Sequence, residues 1–102
     1  MITEYVEALT AIEGIVGYMS FGRMIASLRK CDEISQVALA AKLKMSRAML
    51  CDIEKGRRSV SLKLAKKFAK ALGYSEQQFA AKVLEDLARE AGYKARIILE
   101  AA

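Results

Sequence analysis

Residues 35–56 read SQVALAAKLKMSRAMLCDIEKG. Apolar residues recur at helical spacing on both sides of Leu43-Lys44-Met45-Ser46, which predicts two short helices, 36–43 and 47–54, joined by a tight turn. Leu39, Leu43, Met45, Leu50 and Ile53 supply the apolar contacts that lock the two helices together. Ala40 falls where they approach most closely, and a larger side chain there would push them apart. A helix over 47–54 is about 12 Å long.

Working outward, five serines stand just before amphipathic runs: Ser20, Ser35, Ser46, Ser61 and Ser75. A serine hydroxyl accepts a hydrogen bond from an orphan N–H of a first helical turn, so each is a candidate N-cap. Ser75 is followed three positions later by Gln78, a capping-box pattern. These marks predict helices near 21–31, 36–43, 47–54, 62–72 and 76–91, with Gly56, Gly73 and Gly92 at helix exits. Apolar stripes support them: Met24, Ile25 and Leu28 on the first; Leu62, Ala65, Phe68, Ala69 and Leu72 on the fourth; Phe79, Val83, Leu84 and Leu87 on the fifth. Lys63, Lys66, Lys67 and Lys70 form the opposite, solvated face of the fourth helix.

The two ends read differently. Residues 3–13 suit a short extra helix with Tyr5, Val6, Leu9 and Ile12 apolar, and Gly14 and Gly17 loosen the chain before Ser20. Tyr93-Lys94-Ala95-Arg96-Ile97-Ile98-Leu99 reads as a strand. A lone strand needs a partner, so the expectation is pairing with the same strand of a second subunit. The chain thus divides into an N-terminal extension (1–20), a helical domain (21–79), and the rest of the fifth helix with a terminal dimerisation segment (80–102).

Charge is distributed unevenly. The whole chain of 102 residues carries a net +5. Residues 21–73 hold thirteen bases and four acids, a local +9, whereas residues 1–20 carry three acids and no base. A basic middle between neutral or acidic flanks suggests a face for a polyanion. No apolar run approaches membrane-spanning length and the N-terminus lacks a basic leader start, so a cytoplasmic protein with no membrane partner is expected. Histidine is absent and Cys31 and Cys51 are the only cysteines. No metal set is expected, and two free thiols rather than a disulfide. With no glycine-rich phosphate loop and no general base placed beside Cys51, neither an enzyme nor a cofactor is expected.

The stretch resembles the helix-turn-helix of the Cro and lambda-repressor type, the Xre family. The likeness spans roughly residues 21–79: a helix ending Leu28-Arg29, the Ser35-Gln36 start, Leu39-Ala40, Leu43, Met45-Ser46, the Ile53-Glu54-Lys55-Gly56-Arg57 exit, Ser61, and the close at Ala71-Leu72-Gly73. It implies an all-α, five-helix domain that binds double-stranded DNA. By position, Arg47, Ala48, Cys51 and Asp52 would face bases, with Arg47 suited to bidentate pairing with guanine and Asp52 either accepting from cytosine N4 or pairing with a neighbouring Arg or Lys. Gln36, Ser46, Lys55, Arg57 and Arg58 would meet phosphates, Gln36 also buttressing the second helix. One departure concerns geometry: Lys44 occupies a turn position often held by glycine, where positive φ would cost about 1 kcal/mol. Three roles follow from the resemblance. The first is a homodimeric transcriptional repressor. The second is an antitoxin that also binds a toxin protein. The third is a protein-binding module that has lost DNA binding.

Overall fold

The computed structural model describes residues 7, 8, 10–14 and 17–100, and these form an all-helical fold. Five helices follow in order: α1 (Phe21–Cys31), α2 (Gln36–Lys42), α3 (Arg47–Glu54), α4 (Leu62–Leu72) and α5 (Glu76–Glu90). Residues 7, 8 and 10–14 are also helical, which bears on the N-terminal helix expected over 3–13; residues 3–6 and 9 lie outside the described set.

The helix limits are written in side-chain chemistry. Each of the five serines is an N-cap whose hydroxyl accepts from the N–H three residues on: Arg23, Ala38, Met49, Leu64 and Gln78. The C-terminal ends are equally uniform. A residue with positive φ follows every helix (Glu33, Lys44, Gly56, Gly73 and Gly92). Just after it, an N–H reaches back to a carbonyl of the last turn: Ile34 to Arg29, Met45 to Ala40, Arg57 to Asp52, Tyr74 to Ala69 and Tyr93 to Ala88. This satisfies carbonyls that a helix end otherwise leaves orphaned. Lys44 takes φ 54° as a side-chain-bearing residue, as its turn position implied, and Glu33 does the same at φ 57°.

All five helices contribute to one core, with α4 and α5 packed against each other and α3 against both α1 and α2. Phe21, Met24, Ile25, Leu39, Ala40, Leu43, Leu50, Ile53, Ala65, Phe68, Ala69, Phe79 and Val83 form its continuous interior. The Phe21 ring stands edge-on to Phe68 and Phe79, at 5.5 and 5.8 Å between centroids, an arrangement favoured by ring quadrupoles. Gly22 permits the closest backbone approach. A Cβ there would sit 2.1 Å from the Ile53 carbonyl oxygen, so α1 rests directly on the end of α3.

The apolar stripes need two corrections. Leu62 and Leu87 are 47% and 52% exposed, while Lys82 and Glu85 are buried. The inner face of α5 therefore runs through Phe79, Lys82, Val83 and Glu85, turned away from Leu87. The reason is electrostatic. Lys82 is enclosed by Glu13 at 3.5 Å and Glu85 at 3.4 Å, with its ammonium 4.6 Å from the Tyr18 ring centroid. Arg96 closes the cluster, bonding to Glu13 and, at 3.0 Å, to Glu85. Buried ions survive only inside such closed networks.

That cluster also corrects the expected terminal strand. Residues 93–100 adopt no regular secondary structure, and no strand occurs among the described residues. The Ile97 N–H, which a sheet would use, donates to Glu85 at 2.9 Å, and the Arg96 guanidinium is held by the same carboxylate. Tyr18 ties the other end of the chain down. Its hydroxyl donates to Asp86 at 2.5 Å, and the second Asp86 oxygen accepts from the Phe21 N–H at the start of α1. Burial, reinforced by the Asp86 hydrogen bond and carboxylate, pushes the Tyr18 phenol well above its usual pKa. Burial alone would raise Glu13. The Arg96 hydrogen bond, the Met19 N–H and the charges of Lys82 and Arg96 together hold it below its ordinary value.

Candidate nucleic-acid interface

The helix pair read from residues 35–56 is formed as expected, with α2 ending one residue earlier, at Lys42. Leu39, Ala40, Leu43, Leu50 and Ile53 are buried, and Met45 and Met49 pack against that core partly exposed. With this face of α3 fixed inward, its other face must look outward. Arg47 and Ala48 are exposed at its N-terminal end, and Cys51 and Asp52 are half-buried one turn further on. The four base-facing residues named from sequence therefore share one surface of one helix.

The expected phosphate contacts surround it. Ser46 is exposed, and its oxygen accepts from the Met49 N–H at 3.1 Å, which leaves the hydroxyl proton for an acceptor outside. Lys55, Arg57 and Arg58 are exposed on the segment leaving α3. Gln36 is half-buried, and its amide nitrogen donates to Glu54 at 2.9 Å. It thus contacts α3 directly from the start of α2. Asp52 pairs with Arg57 at 3.4 Å.

Sequence reasoning gave no role to the pair that holds this surface in place. Arg29, on α1, grips Glu54, on α3, through two bonds of 2.8 and 3.1 Å. A third guanidinium bond, 2.9 Å, goes to the Ile34 carbonyl. The hydrogen bonding of the Arg29 guanidinium to the Glu54 carboxylate is the main reason the Arg29 pKa is raised; burial opposes it, and the charge of Glu54 adds to it. Bidentate pairs of this kind combine strength with fixed geometry. A signal was present: Arg29 follows Ile25 by four positions and Glu54 follows Leu50 by four, so each charge falls on an apolar stripe. A charge on a core-facing stripe requires an opposite charge on the facing element.

Both cysteines are free, Cys31 exposed and Cys51 half-buried. Among the described residues no cluster of three or more His, Cys, Asp or Glu is placed to hold a metal ion. Among them, too, no helix is long and apolar enough to cross a membrane.

Two short helices at a tight turn, stapled from behind and basic in front, define a helix-turn-helix. The chain belongs to the helix-turn-helix family of the Cro and lambda-repressor (Xre) type, whose profile matches residues 25–79. That is a class of DNA-binding transcriptional regulators. Among curated proteins the chain is similar to the immunity repressor protein of Bacillus phage phi105, 42% identical over 55 residues. The match covers 54% of this chain and 38% of that repressor, so this chain spans well under half of its relative. No solved structure matches it.

Proposed function

We propose that this protein is a cytoplasmic, sequence-specific repressor that binds double-stranded DNA as a homodimer through residues 36–58. One observation carries the reading: the exposed N-terminal end of α3 presents Arg47 and Ala48 outward, while Leu50, Ile53 and Glu54 anchor its back. Exposed Ser46, Lys55, Arg57 and Arg58 border that end, so base edges and flanking phosphates are within one docking pose. Arg47 reads a guanine through O6 and N7. Ala48 offers a methyl contact, and Gln36 and Ser46 fix the near backbone. Two copies would set their recognition helices about 34 Å apart on an inverted repeat. The similarity to a phage immunity repressor supports repression over the antitoxin reading.

The test is selection of bound sequences from a random duplex pool with the full chain, followed by two variants. Arg47→Ala should relax preference at one base pair per half-site, a loss of about 1–3 kcal/mol of discrimination. Arg58→Ala should weaken binding to all sequences alike and flatten the salt dependence by about one counterion. A pool that enriches no sequence would refute the proposal.

A further inference from the structure

We infer that Asp52 and Arg57 form a discrimination device on this surface. The carboxylate rejects half-sites that turn guanine N7 and O6 or thymine O4 toward it in place of the amino group of the paired base, and Arg57 holds it there while reaching a phosphate. The inference rests on the DNA-binding reading above and adds to it a repulsive element of specificity.

Between residues 35 and 73 the sequence has ten bases and only two acids, Asp52 and Glu54. Glu54 is buried and neutralised by Arg29. Asp52 is thus the one carboxylate of that segment left on the outward side, on the very helix meant to meet a polyanion. Its pairing is built into the backbone. The helix-ending turn brings the Arg57 N–H to the Asp52 carbonyl at 2.9 Å, which sets the two side chains next to each other. At the same two turn positions α2, α4 and α5 place an apolar pair: Met45 with Ala40, Tyr74 with Ala69, Tyr93 with Ala88. On α3 the same two positions carry an exposed ion pair.

The pair is weak by design of its surroundings. Its side chains are 65% and 42% exposed and the closest approach is 3.4 Å, so it adds little to stability. Arg57 can therefore share its remaining donors with a phosphate at little cost. The carboxylate can only accept. In the major groove cytosine N4 and adenine N6 offer donors, whereas guanine N7 and O6 and thymine O4 present acceptors. Asp52 thus favours an amino edge and repels the others, which is discrimination by penalty rather than by attraction. It also removes one positive charge from the face and so weakens binding to irrelevant DNA.

The experiment compares the full-length wild type with Asp52→Ala, Asp52→Asn and Arg57→Ala by pool selection and by salt-titrated binding to a random-sequence duplex. Both Asp52 variants should bind the random duplex several-fold more tightly. Asp52→Ala should lose preference at one base pair per half-site, and Asp52→Asn should move that preference toward adenine. Arg57→Ala should weaken binding to every sequence and blur the same base pair. Thermal melts provide the folding control, and the isosteric Asp52→Asn carries the test should the alanine variant melt early. If the wild type enriches a sequence but both Asp52 variants enrich the identical one with unchanged random-duplex affinity, the inference is overturned and the DNA-binding reading stands. If the wild type enriches nothing, both fall.

Discussion

Two buried charge clusters occupy opposite functional stations in this molecule. Behind α3, Arg29, Glu54 and Gln36 join α1, α2 and α3 through bonds of 2.8 to 3.1 Å. Away from it, Glu13, Lys82, Glu85 and Arg96 bind the N-terminal stretch and the C-terminal run to α5. The first links residues at most 25 positions apart and sets the pose of one short helix. The second bridges 83 positions and fixes no part of the proposed DNA surface. The same physics, charge buried only when matched, therefore serves precision in one place and attachment in the other.

The comparison breaks most sharply at Glu54. Glu54→Ala strands the buried Arg29 cation and should cost about 3–5 kcal/mol, seen as a fall in denaturation midpoint and loss of DNA binding together. Gly22→Ala presses a methyl group into the Ile53 carbonyl, 2.1 Å away. Its cost should lie in the upper part of about 1–3 kcal/mol, and the displaced α3 should bind DNA less well even where the fold persists. Glu13→Gln acts on the other cluster. It should cost about 1–3 kcal/mol, speed hydrogen exchange of the Ile97 amide more than that of α2 and α3 amides, and leave the DNA affinity of the folded protein unchanged.

Acid acts on the second cluster through Glu13. Glu13 has a folded pKa below its ordinary 4.5, so between the two values the unfolded chain binds the extra proton and stability rises with pH. Its contribution is complete above about pH 4.5 and is lost as the pH falls through the lowered folded value. In Glu13→Gln that part of the acid sensitivity should disappear from a pH series of denaturation midpoints. The smallest effect belongs to Lys44, whose φ of 54° is unfavourable for a side-chain-bearing residue. Lys44→Gly should stabilise by less than about 1 kcal/mol, because glycine regains part of that gain as unfolded-chain entropy.

The difference between the clusters also explains what the sequence could say. Serine caps act within three residues and helix stripes within eight, so α1 to α5 were legible from local spacing, while the outward set Arg47, Ala48, Cys51 and Asp52 was implied by the family resemblance. The turn at Lys44 was legible for the same reason. Arg29 and Glu54 left a trace, since each puts a charge on an apolar stripe, but nothing local says that they face one another. Lys82 and Glu85 sit on the stripe of α5 in the same way, and their exposed neighbour Leu87 drew the inner face to the wrong side. Tyr93 to Leu99 has strand-like composition. What overrides it is a contact with Glu85 and Glu13, and no periodicity reports a pairing across 83 positions.

Amide chemical shifts of the full chain, followed while a duplex selected from the random pool is added, test the central claim most directly. The account predicts shifts concentrated at residues 36–58, largest around Arg47 and Ala48, with residues 82–100 still away from any dimer contact. Shifts centred on α5 and the C-terminal run, with Arg47 and Ala48 unmoved, would contradict it.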